Sequence, residues 1–542
     1  MSDSAVMPQP VAGGRPASGP RLDHGMHLGG VVAFLAVLVA GLGYAVVSLI
    51  TDMNAVGEAP LAYGAFALLG LALLIALAFE FVNGFHDTAN AVATVIYTHS
   101  MPPLVAVVWS GFFNFLGVML SSGAVAYAIV TLLPVELILH VGSGAGYAMI
   151  FALLLAAIIW NLGTWAFGLP NSSSHALIGS VLGVGLGNQL MSGGTGTAGV
   201  DWGQALNVFK ALLFSPVCGF VLAAALLLVL KFLVRRKDLY EAPKGEAPPP
   251  IWIRGMLILT CTLVSFFHGG NDGQKGMGLI MLILIGAAPT AYALNRTMSD
   301  DTTPAFIEAS TSASQVFAAR AAGAPQPDAV QARRTVTDAL KTKNLNQPPV
   351  YAALSALATD IAASVKNYGA IRSVPAAQTE NMRSDMYLAA DAVRLLPGAG
   401  VEFSDPEKAT LKTYTGLLNN GTRYIPGWVK ICVALALGLG TMVGWKRIVV
   451  TVGEKIGKTH LTYAQGASAE IVAAGTIGLA ELYGLPVSTT HILSSGVAGT
   501  MAANGSGLQM STVRNMALAW VLTLPAAITL AASLYFLLRH VF

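Results

Sequence analysis

Two apolar stretches of this chain are too long for one straight helix to cross a lipid bilayer. The first runs from Leu61 to Tyr97 and the second from Ile251 to Tyr292. At ~1.5 Å per helical residue, each is much longer than the ~30 Å hydrocarbon layer. With 54% hydrophobic and only 11% charged residues, the chain is also too apolar for a soluble globule. The sequence therefore predicts an all-α polytopic membrane protein whose long helices break.

Polar residues interrupt both long stretches, and we expect the breaks there. The interruptions are Asn83-Gly-Phe-His-Asp-Thr-Ala-Asn90 and His268-Gly-Gly-Asn-Asp-Gly-Gln-Lys275. A carboxylate in hydrocarbon needs a partner or a bound ion, and this applies to Asp87 and Asp272. The polar neighbours that could serve are His86, Asn90, Asn271 and Lys275. Carboxylate and amide oxygens at an unwound helix are typical of a cation or proton site, and a network that only holds the backbone is the alternative.

A second pair of interruptions consists of two similar turns. They are Gly168-Leu-Pro-Asn-Ser-Ser-Ser-His175 and Gly484-Leu-Pro-Val-Ser-Thr-Thr-His491. Pro fits the first turn of a helix, and Ser or Thr beside it can cap the free amides. A helix restarted in this way offers N–H groups, hydroxyl donors and a positive dipole end to an anion. The predicted anion-binding hydroxyl residues are Ser172, Ser173, Ser174, Ser488, Thr489 and Thr490.

Three other polar residues are weaker candidates. His175 and His491 could orient the hydroxyl groups, take a proton or cap the turns. Glu470 is the polar residue at membrane depth that we favour most for the coupling site. The three cysteines lie in or beside apolar runs and are predicted to be small hydrophobic residues. No cofactor or resident metal is expected.

The two kinds of interruption recur in the same order in both halves. Asp87 precedes Ser172 by 85 positions, and Asp272 precedes Ser488 by 91 positions once the 125 polar residues from Ser299 to Arg423 are set aside. Lys and Arg in the segment 235–250 and around 446–458 predict that both are cytoplasmic. Together these patterns predict two inverted repeats that share one centre, which is typical of a transporter with a midplane site. An anion and a cation at one centre indicate symport.

This reasoning divides the chain into seven segments. They are a disordered tail at 1–27, an extra transmembrane helix at 28–50, a first membrane repeat at 61–234, a cytoplasmic linker at 235–250, a second repeat in two parts at 251–298 and 426–542, and a polar, helical extramembrane insertion at 299–425. A signal peptide is the alternative for the first apolar run. The arms around each Gly-Leu-Pro turn could either span the membrane or only re-enter it.

The motifs resemble the inorganic phosphate transporter (PiT) family, and more narrowly its bacterial low-affinity Pit-type permeases. The resemblance extends over nearly all of 61–541 and is weakest in the insertion. Besides the two Gly-Leu-Pro turns, the residues that carry it are Gly84-Phe-His-Asp-Thr-Ala-Asn-Ala-Val-Ala-Thr-Val-Ile-Tyr97, His268-Gly-Gly-Asn-Asp-Gly-Gln-Lys-Gly276, Trp160-Asn-Leu-Gly-Thr-Trp165 and Tyr463-Ala-Gln-Gly466.

The resemblance implies proton-coupled uptake of inorganic phosphate across a bacterial inner membrane, often as a neutral complex with a divalent metal. It implies that the hydroxyl turns line the phosphate. It places Asp87, Asn90, Asn271 and Asp272 in the coupling-ion region. Phosphate and membrane lipid are the expected partners, nucleic acid is not, and a homo-oligomer is compatible with the sequence.

The chain departs from the sodium-coupled branch of this family, which tends to have Asn-Asp-x-x-Asn-Ala in both copies. Here the first copy has His86-Asp87 and the second ends with Lys275-Gly276. A fixed ammonium repels a sodium ion, so we favour proton coupling with His86 and an aspartate as the titrating groups.

Other functions remain alternatives at this point. Sodium-coupled phosphate symport and a carrier for another tetrahedral oxyanion such as sulfate belong to the same class. An intramembrane serine hydrolase is disfavoured because the motif occurs twice and has Thr in the second copy, which a single-site enzyme does not require. A sensory role for the insertion is a further alternative.

Overall fold

The computed structural model describes residues 20, 22, 27–56, 61–87, 89–130, 143–191, 202–243, 245 and 247–542, without the side chains of residues 89, 90, 130, 204 and 207. Most of the predicted tail, the side chain of Asn90 and parts of the predicted loops at 51–60, 133–146 and 189–203 lie outside this description.

The regular elements in the described part of the chain are all helices. The first half contains α1 (Leu28–Ala55), α2 (Tyr63–Asp87), α3 (Ala89–Tyr97), α4 (Pro103–Leu120), α5 (Ala124–Val130), α6 (Gly144–Ala166), α7 (Ser173–Met191) and α8 (Trp202–Leu233). The second half begins with α9 (Ile251–Ala287) and α10 (Pro289–Tyr292). The insertion contains α11 (Thr303–Arg320), α12 (Ala329–Thr342), α13 (Pro348–Tyr368), α14 (Ala376–Leu395) and α15 (Asp405–Thr422). The chain ends with α16 (Gly427–Thr441), α17 (Lys446–Val450), α18 (Tyr463–Leu482), α19 (Thr489–Asn504) and α20 (Met510–Leu538).

Seven stretches of the described residues are long and apolar enough to cross a membrane. They are α1, α2 with α3, α4, α6, most of α8, α9 and α20. Helices α15 and α16 meet at a 74° bend and raise the number to eight if the pair counts as one span. The chain is therefore an all-helical, multi-span membrane protein.

The structure tests the predicted break in only one of the two long apolar stretches. In the first, α2 and α3 flank Thr88, which lies outside the described residues, so a break there stays a prediction. In the second, the prediction of a break was wrong, because α9 runs without interruption from Ile251 to Ala287. Asp272 has Lys275 three positions after it, with Nζ 2.6 Å from Oδ1, and His268 four positions before it, with Nε2 3.5 Å from Oδ2. Residues at these spacings share one face of a helix, so the acid is paired without unwinding the backbone.

The two halves pack against each other in a reciprocal way. Helix α2 of the first half lies against α16 of the second, and α9 of the second lies against α4 of the first. Likewise, α7 packs on α20 and α19 packs on α8. Each half therefore supplies part of the other's surroundings, although the opposite orientation of the halves in the membrane stays a prediction.

Glycines allow the closest of these approaches. A Cβ added at Gly84 would lie 2.2 Å from the carbonyl oxygen of Leu437, and one added at Gly440 would lie 2.1 Å from that of Phe81. The same is true of Gly117, where the added Cβ would lie 2.0 Å from the carbonyl oxygen of Phe266. Small residues at helix crossings of this kind let two backbones touch inside a membrane.

The insertion forms a helical unit with its own hydrophobic core. Large buried side chains at its centre include Phe306, Phe317 and Tyr414. Its two connections to the membrane helices meet at Asn295, whose backbone N–H donates to the carbonyl of Gly421 at 2.8 Å. The insertion thus leaves and rejoins the membrane part at nearly the same place.

Candidate functional site

The structure brings the two buried acids together. Asp87, at the end of α2, and Asp272, in the middle of α9, are 4% and 0% exposed. One ligand atom from each of Asp87, His268 and Asp272 lies within 4.8 Å of the others. Acidic residues from both halves therefore share one polar centre inside the apolar helices.

Asp87 is held by residues from both halves. Its Oδ1 accepts a hydrogen bond from Thr490 Oγ1 at 2.6 Å, and Nδ1 of the adjacent His86 lies 3.1 Å from the same oxygen. The other ring nitrogen of His86 lies 3.3 Å from Thr164 Oγ1. The carboxylate is thus tied to an imidazole that can carry a proton.

Asp272 is held by a basic residue of its own helix. Lys275 Nζ, beside Asp272, also donates to Ser174 Oγ at 2.5 Å, which links α9 to the first hydroxyl turn. His268 is positioned by Asn114, whose Oδ1 lies 2.7 Å from its Nδ1. Asn271 does not face the acids through its amide N–H, which donates instead to the carbonyl of Leu485 at 3.2 Å.

The first hydroxyl of each turn caps its helix. Ser172 Oγ accepts from the backbone N–H of His175 at 3.2 Å, and Ser488 Oγ accepts from that of His491 at 3.1 Å. This is the hydrogen bond of an N-cap residue, so these two hydroxyls have a local structural role.

The third hydroxyl of each turn crosses to the other half. Ser174 Oγ donates to the carbonyl of Val487 at 2.8 Å and accepts from Lys275, whereas Thr490 donates to Asp87. Each turn is therefore connected to the acidic motif of the opposite half.

The middle hydroxyl of each turn forms no hydrogen bond with the described residues. Ser173 and Thr489 are 0% and 5% exposed, and neither hydroxyl oxygen has a hydrogen-bond partner among the described residues. A buried hydroxyl without a partner is costly, so two at corresponding positions indicate a ligand that supplies the missing bonds.

The two histidines of the turns stack on one another. Their ring centroids are 4.6 Å apart, and the His491 ring also lies 4.2 Å from that of Trp520. His175 Nδ1 lies 2.8 Å from Ser172 Oγ. The imidazoles thus hold the two turns against each other.

Glu470 lies away from the acids. Its carboxylate accepts from Thr260 Oγ1 at 2.5 Å. Thr260 precedes Asp272 on the continuous helix α9, and at ~1.5 Å per residue the two are about 18 Å apart along the axis. This separation weakens its candidacy for the coupling site.

Sequence reasoning did not select three residues that contact the centre. His268 contacts Asp272, Asn114 contacts His268, and Thr164 contacts His86. The four-residue spacing of His268 and Asp272 indicates a contact if the helix is continuous. Because a break was expected there, the contact was not predicted. Asn114 is a polar residue at membrane depth and Thr164 belongs to the motif Trp160–Trp165, but neither feature indicated which residue it contacts.

These features define a multi-span helical membrane protein in which a polar, charged centre lies between two reciprocally packed halves. A model described as the phosphate transporter family matches residues 83–531. The chain belongs to this family.

Several relatives are similar over most of their length. The low-affinity inorganic phosphate transporter PitA of Escherichia coli K12 is 44% identical over 500 residues, which cover 86% of this chain and 97% of the relative. PitB of the same organism is 42% identical over 86% of this chain and 97% of its own. A probable low-affinity inorganic phosphate transporter of Bacillus subtilis is 28% identical over 87% and 97%. A solved sodium-dependent phosphate transporter is 19% identical, with a TM-score of 0.47, over 88% of this chain and 100% of that one.

Proposed function

We propose that this protein imports inorganic phosphate across a bacterial inner membrane by proton symport through alternating access. Its relatives are low-affinity inorganic phosphate transporters. The observation that carries the proposal is the pair of unpartnered hydroxyls, Ser173 and Thr489, at corresponding positions beside two buried acids. The proposal excludes an enzymatic role for the serine turns.

Phosphate would bind between the two turns. Ser173 and Thr489 supply hydroxyl donors, and they lie in the first turns of α7 and α19, where backbone N–H groups and the helix dipole favour an anion. Lys275 Nζ, which contacts Ser174, adds a positive charge. These groups recognise a tetrahedral oxyanion without a covalent step.

Protons would be carried by the His86–Asp87 pair. The imidazole and carboxylate are in contact and buried, so adding or removing a proton changes the charge of the centre directly. Sodium is a poorer fit at Asp272, because the ammonium of Lys275 already lies 2.6 Å from its carboxylate. The same contact argues against sodium binding at the second acidic motif, which contains Asp272.

A divalent cation would travel with phosphate as a neutral complex. Ligand atoms of Asp87, His268 and Asp272 lie within 4.8 Å of one another, so one ion with ligands at about 2.0–2.6 Å could contact all three. Phosphate balances the charge of such an ion, so the ammonium of Lys275 repels the complex less than it repels a bare sodium ion. The metal is cargo in this proposal. The reciprocal packing of the halves supports alternating access, in which one half rocks against the other around the shared centre.

Uptake of labelled phosphate into liposomes that contain the purified protein tests the proposal. We expect an inward proton gradient to drive accumulation, a sodium gradient alone to drive none, and excess sulfate to compete poorly. Chelation of divalent metal should slow the uptake. Accumulation driven by a sodium gradient alone would overturn proton coupling. Equal competition by sulfate would overturn specificity for phosphate. Uptake that a chelator does not change would show that no divalent metal travels with phosphate.

Asp87→Asn separates coupling from folding. The amide can still accept from Thr490, but it cannot exchange a proton with His86, so we expect normal membrane insertion without concentrative uptake. Asp52→Asn is the matched control, because Asp52 lies on α1 and accepts from Tyr292 and Trp428 away from the centre. Normal accumulation by Asp87→Asn would rule out the role of Asp87.

A further inference from the structure

A second group of charged and polar residues lies where the insertion meets the membrane helices. It consists of Arg383 on α14, Arg423 just before α16, Tyr127 on α5 and Tyr387 on α14. We call these four residues the insertion-base cluster. It belongs to neither hydroxyl turn and to neither acidic motif.

Arg383 is the unusual member of this cluster. Its side chain is only 6% exposed, its Nε has no hydrogen-bond partner, and no acidic residue lies within ion-pair distance among the described residues. Burial lowers the pKa of this guanidinium because the charged form loses its water. A buried, unpaired guanidinium is strongly unfavourable unless an anion compensates it.

The other members add donors around it. The hydroxyl of Tyr127 is also buried and without a hydrogen-bond partner among the described residues. Arg423 Cζ lies 5.6 Å from the centroid of the Tyr127 ring, and Arg383 Cζ lies 5.6 Å from that of Tyr387. Both guanidinium groups act electrostatically on both phenols, so the four side chains form one group.

Among the described residues no acid is ion-paired with Arg383 or Arg423, although Glu380 and Asp391 act on them at longer range. Asp391 is bound by Arg394, whose Nη2 lies 2.6 Å from its Oδ1. Glu380, one turn before Arg383 on α14, is exposed and forms no ion pair with it within the described part of the chain. Within the described part of the chain, two guanidinium groups and an unpartnered phenol hydroxyl therefore lie together without an ion-paired acid.

We propose that the insertion-base cluster is a second oxyanion site, separate from the membrane centre, that binds a phosphate group. Arg383 and Arg423 supply the positive charge, and the Tyr127 hydroxyl donates a hydrogen bond to a phosphate oxygen. The choice of phosphate rests on the proposed function, whereas the need for an oxyanion rests on the cluster alone. The phosphate is either the free ion, captured before transport, or the headgroup of an anionic lipid.

Helix α5 connects this site to the membrane centre. The backbone N–H of Val125 donates to Gln274 Oε1 at 2.9 Å, and Gln274 immediately precedes Lys275 on α9. Tyr127 is therefore two residues from a contact with the helix that bears Asp272. A phosphate held at Tyr127 would lie on the insertion side of the transport centre.

Hydrogen exchange of the full-length protein in a neutral detergent tests this inference. The phosphate concentration is set at ten times its dissociation constant. Backbone amides of residues 376–395 that exchange only after the ion is released should then exchange roughly tenfold more slowly. The slowing should persist in a Ser173→Ala, Thr489→Val variant, which disables the proposed membrane site. It should vanish in Arg383→Gln and in Arg423→Gln.

Arg372→Gln is the matched control, because Arg372 lies on the same insertion but is exposed and paired with Asp300. It should respond to phosphate as the unmodified protein does. Protection by short-chain phosphatidylglycerol and not by inorganic phosphate would identify the oxyanion as a lipid headgroup. If neither slows exchange in the unmodified protein relative to chloride, the second site does not exist. Liposome uptake is a separate measurement, so a protein that binds here without transporting phosphate would contradict only the proposed function.

Discussion

The six hydroxyl groups of the two turns are chemically similar, yet the structure gives them three roles. Ser172 and Ser488 cap helices, and Ser174 and Thr490 cross to the other half. The middle pair, Ser173 and Thr489, has no hydrogen-bond partner in the described part of the chain. The division follows from geometry, because the first turn of a helix points three consecutive side chains in different directions.

Replacing a middle hydroxyl should weaken phosphate binding. Thr489→Val keeps the shape of the side chain but removes the donor. Because a hydrogen bond to a charged group contributes about 1.5–3 kcal/mol, the apparent Km for phosphate should rise roughly 10- to 100-fold. Ser180→Ala is the control, since Ser180 is also buried on α7 but donates to the carbonyl of Ala176. An unchanged Km in Thr489→Val would exclude direct contact.

Replacing a capping hydroxyl should have a different result. Ser488→Ala removes the acceptor for the His491 N–H, and loss of an N-cap costs about 1 kcal/mol. We therefore expect a lower melting temperature of the purified protein with a much smaller change in Km than in Thr489→Val. A larger Km change in Ser488→Ala would reverse the two assignments.

At the scale of helices, close approach of backbones decides the packing. Helix α9 stays continuous through a glycine-rich, charged segment because its acid is paired along one face and its glycines contact neighbouring helices. A Cβ at Gly269 would lie 2.2 Å from the carbonyl oxygen of Asn114 on α4. The glycines of this motif thus serve the packing of a straight helix, where the sequence had suggested an unwound one.

Gly117→Ala tests this packing. The added Cβ would lie 2.0 Å from the carbonyl oxygen of Phe266, so α4 and α9 must move apart. Overpacking typically costs about 1–3 kcal/mol, which should lower the thermal stability of the protein in detergent. At Gly163 on α6 an added Cβ meets nothing within 4 Å, so Gly163→Ala is the control and should be neutral or slightly stabilising. Equal melting temperatures for the two variants would contradict this account.

At the scale of the whole molecule, reciprocal packing makes the centre a property of both halves. Asp87 depends on Thr490 and Lys275 contacts Ser174, so neither half contains a complete site. The insertion lies at one end of this assembly. The predicted cytoplasmic segments 235–250 and 446–458 are each separated from the insertion by one apolar stretch. If each stretch crosses the membrane once, this end is on the non-cytoplasmic side.

Cysteine labelling tests the orientation. Glu308 on α11 and Lys455 after α17 are both exposed. In a chain with Cys218 replaced by Ser, a membrane-impermeant maleimide should label Glu308→Cys in intact cells. It should label Lys455→Cys only after the membrane is opened. The reverse pattern would invert the topology and place the insertion in the cytoplasm.

The sequence alone was sufficient for the membrane class, the position of most helices and some of the residues that meet at the centre, Asp87 and Asp272 among them. These follow from local physical chemistry, because long apolar runs must lie in lipid and charged residues within them must find partners. The turns before Ser173 and Thr489 were predicted for the same reason. The family likewise could be inferred from short motifs.

For the residues that the structure describes, only the tertiary structure decided which hydroxyls lack a partner, that α9 is unbroken, and that Arg383 is buried without an ion pair. Each depends on atoms far apart in the chain, as the contact of Asp87 with Thr490 shows. A sequence specifies which groups need partners, but distance and direction in the folded chain determine which of those partners are in reach.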